Sequence, residues 1–303
     1  MKILLTGASG FAGSRIASQL VESGQHEVFA MVRETSSLDR LEGCLEKLNL
    51  VKADLNNSEA VTGLVEDIRP ELCIHSAWYA EPGAYLHAVQ NVDLMAATTF
   101  LAWTLAEAGC SRFCSLGTCF EYDLSVGELD EASPEKPDTL YAASKLATSA
   151  ALARLSEAMD FSFAWLRLFY LYGPGEDSRR LVASVTRTLL EGKIAKTTEG
   201  KQVRDFLHVD DVASAVIAIA LSNIKGVVNI GSGRPVAVRD VVLQIARCLD
   251  AEDRLQLGAL PQRPGDPPRV VCAGSRLRQV NWAPSYDLEQ GIRNTVNWWK
   301  SRI

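Results

Sequence analysis

The chain has 303 residues, 47% hydrophobic and 22% charged, with 31 Lys and Arg against 37 Asp and Glu, so its net charge is −6. That length allows one large α/β domain with a smaller lobe. A mildly acidic chain has no bulk attraction for nucleic acid or an anionic membrane, so neither is an expected partner, and an anionic ligand must be held by placed arginines, amides or helix ends.

In chain order, strand-like runs fall at residues 2–6, 27–33, 48–53, 72–76, 112–116 and 163–169. Helical patterns lie between them at 12–23, 58–68, 85–108 and 140–159. Strands alternating with helices of this length predict an α/β fold with a doubly wound parallel sheet, and near-continuous apolar strands are those buried on both faces. After Tyr172 the character changes, with Pro and Gly clustered at Gly173-Pro174-Gly175 and again over 261–268. One further helix (212–221) and strand (227–230) return between these clusters. The expected division is therefore 1–172 plus about 202–233 as the larger domain, and about 173–201 and 234–303 as a smaller C-terminal α/β lobe. No window approaches about 18 uninterrupted apolar residues, and no charged-then-apolar leader precedes the first strand. The seven cysteines are odd in number and lack paired CxxC spacing, which predicts reduced thiols, no metal site and a cytoplasmic location.

The first strand runs into Gly7-Ala8-Ser9-Gly10-Phe11-Ala12-Gly13, which opens the first helix. Gly7 permits the tight turn, Gly10 lets backbone approach a pyrophosphate, and Gly13 lets helix pack on strand. The helix N-terminus offers free N–H groups to the anion. This is the pattern of a Rossmann-type dinucleotide site. The end of the second strand selects the cofactor: Arg33, with Ser36 and Ser37 after it, suits a 2′-phosphate, so NADP is expected ahead of NAD. Tyr141-Ala142-Ala143-Ser144-Lys145 places a phenol and an ammonium about one helical turn apart, on one face. The ammonium is expected to favour phenolate, so that Tyr141 exchanges a proton near neutral pH.

The GxxGxxG spacing together with YxxxK resembles the extended short-chain dehydrogenases/reductases, the NAD-dependent epimerase/dehydratase family, in its nucleotide-sugar branch. The likeness runs the length of the chain. It implies that Asp54-Leu55 contacts adenine, and that His75-Ser76-Ala77-Trp78 stands for the family's His-x-Ala-Ala, with His75 structural and Trp78 a bulky replacement. It implies that Thr118, rather than Ser115, is the hydroxyl that polarises the substrate C–O group, with Tyr141 and Lys145 as its catalytic partners. Glu121-Tyr122-Asp123 departs from the usual Val-Tyr-Gly-like triplet. Cys119 and Phe120 stand where 4,6-dehydratases carry acidic residues, so dehydration is not expected and Cys119 lines the pocket. Arg167 to Gly175 resembles RxxNxYGPG with Tyr170 in place of the substrate-contacting Asn. Arg204-Asp205-Phe206-Leu207-His208-Val209-Asp210-Asp211, Asn229-Ile230-Gly231-Ser232-Gly233 and Arg263-Pro264-Gly265-Asp266 resemble the family's later motifs, which makes Arg204 and Arg263 diphosphate clamps. Asp210 is the expected cap of the helix that follows. The implied activity is NADPH-dependent reduction of a 4-keto-deoxysugar nucleotide. The alternatives are a 4-epimerase with tightly bound NAD, a reductase of a non-nucleotide carbonyl, and a non-catalytic NAD(P) sensor. The likeness also implies a homodimer built on the 85–108 and 140–159 helices.

Overall fold

A computed structural model describes residues 1–303. Its centre is a parallel sheet of seven strands. Five carry labels here: β1 (Lys2–Thr6), β2 (Glu27–Val32), β3 (Asn49–Lys52), β4 (Leu72–His75) and β5 (Arg112–Thr118). Strands Ser162–Leu168 and Gly226–Ile230 complete it. From one edge the order is β3, β2, β1, β4, β5, Ser162–Leu168, Gly226–Ile230. The order reverses between β1 and β4, and in such a sheet the ligand crevice lies beyond the carboxyl ends of the strands at that point.

The inner strands are buried on both faces, while the edge strand β3 is only half-buried. Ile3 and Leu5 pack against helices α1 (Phe11–Glu22) and α6 (Val209–Ala220). Leu4 points the other way, into a core shared with α2 (Ser58–Ile68), α3 (Gln90–Glu107) and α4 (Leu140–Ala158). That alternation is the period of two that the strand pleat imposes. Arg112 at the start of β5 holds the end of α6, donating to the carbonyls of Ala220 (2.7 Å), Ile219 (2.7 Å) and Ile224 (2.9 Å). Ile219 and Ala220 belong to the last turn of α6 and Ile224 to the segment after it, so the guanidinium fixes the helix end to the segment that leads into the next strand.

The second layer has its own core. Helices α5 (Leu181–Leu190), α7 (Val238–Cys248) and α8 (Leu288–Lys300) bury Val182, Leu189, Val241, Ile245, Ile292 and Val296 together. Each such side chain contributes roughly 1.5–3 kcal/mol of burial. A small sheet adjoins them: Val203–His208 pairs with Pro235–Ala237, Arg269–Cys272 and Tyr170–Tyr172, and Arg269–Cys272 pairs with Glu128–Leu129. Strand Tyr170–Tyr172 follows directly on the central-sheet strand Ser162–Leu168, so the two layers meet beside the open ends of the parallel strands.

Two sequence expectations shift. The helical pattern over 85–108 begins only at Gln90; residues 82–87 and 89 are turns. Asn91 explains the break, because its amide donates to the carbonyls of Tyr85 (2.7 Å) and Ala88 (2.8 Å) and its Oδ1 accepts from Trp78 Nε1 (2.8 Å). The strand expected to end at residue 116 runs on to Thr118, paired with Leu168. No helix is long and apolar enough to cross a membrane.

Candidate active site

The glycine loop is shaped as a cradle. Gly7 has φ +67°, a left-handed conformation that favours glycine. A Cβ on Gly13 would stand 2.0 Å from the Gly7 carbonyl oxygen, so α1 approaches β1 only because that side chain is missing. A Cβ on Gly7 would meet the Ala77 backbone N at 2.6 Å, which fits the loop after β4 tightly beside it. Gly10 is the N-cap of α1 and no side chain caps that end, so its first N–H groups are free for an anion. Ser9, Phe11 and Ala12 are partly buried around this end. These residues fit a dinucleotide pyrophosphate.

Arg33 lies just beyond β2, exposed, with no ion pair. Its backbone N–H donates to Ser36 Oγ (3.1 Å) and Ser36 N–H returns a bond to the Arg33 carbonyl (3.0 Å), a tight turn that presents both. The neighbouring Glu34 is held by Lys52 at 2.9 Å. Arg40, which no sequence pattern singled out, donates to the carbonyls of Gly175 (2.8 Å) and Ser9 (3.4 Å) and so ties the glycine loop to the segment entering the second lobe. Asp54 is exposed and accepts from Asn56 N–H (2.9 Å). Leu55 turns into the core with Val61 and Val65, leaving only its backbone toward the crevice. Ser76 N–H donates to the Thr6 carbonyl (3.2 Å), and Ala77 N–H reaches Thr6 Oγ1 (3.4 Å). His75 is wholly buried between the Thr6 and Thr98 hydroxyls (2.8 and 3.0 Å), and burial lowers its pKa to about 3. It is a neutral structural residue.

Thr118, Tyr141 and Lys145 come together at the end of β5. The Thr139 side chain caps α4 by accepting from Ala142 N–H (3.2 Å), which sets the turn that bears Tyr141 and, one turn on, Lys145. Tyr141 N–H donates to the Leu86 carbonyl (3.0 Å), and Tyr85 packs edge-on against the Tyr141 ring at 4.9 Å. The loop before α3 therefore covers the phenol. Lys145 Nζ donates to the Leu116 carbonyl (2.6 Å) and sits 3.7 Å from the Trp78 ring centre, so the bulky replacement at position 78 becomes the floor of the lysine site. Burial lowers Lys145 to about 7, with Glu121 opposing. Burial, then Tyr85, push the Tyr141 phenol well above its usual value, with the Thr118 hydroxyl pulling the other way. The phenolate expected from an adjacent ammonium is thus not favoured in this geometry: the lysine charge is itself penalised by burial and is directed to a carbonyl. Burial thus favours the neutral form of the Tyr141 phenol.

Glu121 emerges as a central residue. It is fully buried and accepts from Thr118 N–H (2.8 Å), Trp165 Nε1 (3.0 and 2.9 Å) and Arg167 Nε (2.6 Å). Arg167 is equally buried, lies 4.2 Å from the Tyr122 ring centre and reaches Glu135 with its second nitrogen. Ser115, the weaker hydroxyl candidate, is buried with no hydrogen-bond partner for its Oγ.

The side of the crevice toward the second layer is aromatic. Tyr170 lies 6.2 Å from Phe120 and 6.1 Å from Phe206, and the Arg204 guanidinium sits 5.4 Å from its ring. Cys119 is buried and its thiol is pushed far up by that burial, so it lines the site without ionising. Arg204 is buried, donating to its neighbour's carbonyl at Val203 (2.8 Å) and to Asp266 (2.6 Å). Arg263 stands exposed on the same turn as Asp266. Asp205 anchors the Gly231–Gly233 turn, accepting from Ser232 N–H (2.7 Å), Ser232 Oγ (2.6 Å) and Gly233 N–H (2.8 Å). The cap of α6 is His208 rather than Asp210: His208 Nδ1 accepts from Asp210 N–H (3.3 Å), freeing the Asp210 carboxylate to pair with Arg15 of α1. No group of His, Cys, Asp and Glu side chains is placed to hold a metal ion.

The seven-stranded parallel sheet, its reversal point and its glycine cradle make this a Rossmann-type protein. A model of the NAD dependent epimerase/dehydratase family matches residues 3–231, and the chain belongs to that family, within the extended short-chain dehydrogenase/reductase superfamily. It is 28% identical to a UDP-glucose 4-epimerase of Azospirillum brasilense, over 99% of this chain and 92% of the relative. It is 26% identical to a dTDP-glucose 4,6-dehydratase of Xanthomonas campestris, over 98% and 92%. In fold it is similar to the Thermus thermophilus UDP-glucose 4-epimerase solved in complex with NAD, with a TM-score of 0.87, 24% identity and full coverage of both chains.

Proposed function

We propose that this protein reduces the keto group of a 4-keto-deoxysugar nucleotide, using NADPH. The observation that carries the reading is the placement of the Tyr141 phenol beside the Thr118 hydroxyl, where burial favours its protonated form, with no free acid beside it for eliminating water. The positions that dehydratases fill with acids hold Cys119 and Phe120, and the next carboxylate, Glu121, is spent on three buried donors. Gly7, Ser9, Gly10, Phe11, Ala12 and Gly13 would hold the pyrophosphate of the dinucleotide, Arg33 and Ser36 its 2′-phosphate, and Asp54 with the Leu55 backbone its adenine. Ser76, Ala77 and Trp78 would line the nicotinamide half, and Lys145 its ribose. Bound there, the reduced nicotinamide supplies a hydride.

Thr118 donates a hydrogen bond to the C4 oxygen and orients it. Tyr141 Oη transfers its proton to that oxygen as negative charge develops, a step worth about 10²–10⁴-fold. The Lys145 ammonium, one helical turn on, steadies the phenolate until a proton from solvent resets the phenol. Phe120, Tyr170 and Tyr85 surround the reacting carbon and exclude water, and Arg204, with Arg263 from the exposed turn, clamps the diphosphate. The apolar face of Met95, Ala96, Phe100, Trp103, Ala147 and Ala151 across α3 and α4 supports a homodimer. Seven free cysteines, six of them buried, agree with a cytoplasmic location.

A second reading is 4-epimerisation with retained NAD, favoured by the 28% identity to a UDP-glucose 4-epimerase. Denaturing fresh protein and weighing any released dinucleotide separates the two. Reduction predicts a site that binds NADPH far more tightly than NADH; stoichiometric NAD released from the protein would reject it.

A further inference from the structure

Position 121 is where the resemblance leads one to expect a valine, and here it is a carboxylate at the heart of the molecule. A buried carboxylate is costly unless it is paired and hydrogen-bonded. Glu121 has both kinds of partner. One oxygen takes Thr118 N–H, the other takes Arg167 Nε, and Trp165 Nε1 bridges the two. The Glu121 side chain and the Thr118 side chain cap one another's backbone in a short turn, Cys119–Glu121, so the two residues are mechanically one unit. The arrangement admits no slack: a Cβ on Gly117 would stand 2.2 Å from Trp165 Nε1 and 2.7 Å from Glu121 Oε1.

The same carboxylate and the lysine share Trp165 as a neighbour. Trp165 lies between them, its N–H on Glu121 and its ring 5.5 Å from Lys145 Nζ. Lys145 bonds the carbonyl of Leu116, one residue before Gly117. Charged and titratable groups reach this centre from every side, Tyr85 from the loop before α3 and Arg204 and Asp205 from strand Val203–His208 among them. From β5 and the turn after it come Cys119, Glu121 and Tyr122, and from strand Ser162–Leu168 comes Arg167. From α4 come Tyr141 and Lys145, from β4 His75, and from the loop before α4 Glu131 and Glu135. His75 is neutral, Arg167 is divided between Glu121 and Glu135, and Glu121 is the carboxylate that acts on Lys145.

We propose that Glu121 is a positioning residue whose buried carboxylate holds the backbone of Thr118 in place and supplies the negative charge that keeps Lys145 an ammonium during turnover. It acts through Thr118 and Lys145 and does not touch the substrate. The inference rests on the reading of Thr118, Tyr141 and Lys145 as the reacting group.

The test is the proton affinity of Lys145, read by NMR of the full chain labelled at lysine Cε, with the signal assigned by its loss in Lys145→Met. In the wild type that signal is expected to titrate near neutral pH. Glu121→Gln keeps an acceptor for Thr118 and Trp165 and removes only the negative charge, while Arg167 retains Glu135 as a partner. It is expected to titrate about one pH unit lower, a tenfold loss of proton affinity, and the pH profile of kcat is expected to move with it while KM stays put. Should that variant unfold, Glu121→Asp, which draws the charge back by one methylene, is expected to move the titration the same way by less. A Lys145 titration unchanged in a folded variant would overturn the proposal and leave Glu121 a structural cap. The NMR readout needs no substrate, so a protein that reduces no nucleotide sugar but shows the change would sink the proposed reaction and spare this inference.

Discussion

Arg204 is the residue on which substrate affinity should turn. Its guanidinium is buried, two of its nitrogens already point at acceptors, and the one outside partner is Asp266 on the partly exposed turn 263–266. Arg204→Lys keeps the charge and much of the length but replaces a planar fork with a point donor. A hydrogen bond to a charged group is worth about 1.5–3 kcal/mol, so losing the paired geometry on a diphosphate should raise Kd for the nucleoside diphosphate about 10- to 150-fold. Asp266 is partly exposed, so it can return to water when its partner shortens, and the fold should survive. The effect should fall on KM and leave kcat within about threefold, because a diphosphate clamp binds ground state and transition state alike. Titration calorimetry with the nucleoside diphosphate, alongside steady-state kinetics, reads both quantities. Binding within twofold of wild type, or a loss confined to kcat, would refute the assignment.

Further outcomes follow from other contacts. Gly13→Ala forces a methyl to 2.0 Å from the Gly7 carbonyl, where only backbone could yield, so it should destabilise the chain by about 3 kcal/mol or more and abolish dinucleotide binding, as thermal melts with and without cofactor would show. Arg33→Ala should weaken NADPH about tenfold or more and leave NADH unchanged in the same titrations. Glu176 is buried, one of its oxygens has no partner, and burial raises its pKa to about 8, with Arg180 opposing. Between pH 4.5 and about 8 the native state keeps a proton that the unfolded chain has lost, so stability should fall as pH rises through that window, by at most about 1.4 kcal/mol for each pH unit. Denaturant midpoints measured along pH should show that slope in the wild type, and Glu176→Gln should flatten it; a slope that survives the substitution would assign it elsewhere.

What the sequence reveals about this chain is what local pattern encodes. Apolar runs between helical patterns mark all seven strands of the central sheet, and the GxxGxxG turn marks its crevice, because both depend on neighbours a few residues away. The strand end at Thr118 and the helix start at Gln90 are less legible: one depends on pairing with Leu168, the other on the Asn91 side chain taking carbonyls from the preceding turn. Glu121 reads in sequence as a departure from a triplet. Its meaning lies in Trp165 and Arg167, 44 and 46 residues further on. Arg40 is hidden in the same way, since its partner Gly175 lies 135 residues away. The rise in the Tyr141 pKa also escapes pattern reading, because it follows from how Tyr85 and the surrounding protein enclose the phenol, and the spacing of Tyr141 and Lys145 carries none of that.

The most direct test mixes the purified protein with NADPH and a nucleoside-diphosphate 4-keto-6-deoxyhexose and counts cofactor against sugar. The account predicts one NADPH oxidised for each 4-hydroxy sugar formed, with Tyr141→Phe slowed about 10²-fold or more while still binding NADPH. Conversion of a nucleotide sugar to its 4-epimer with no net consumption of cofactor would contradict it.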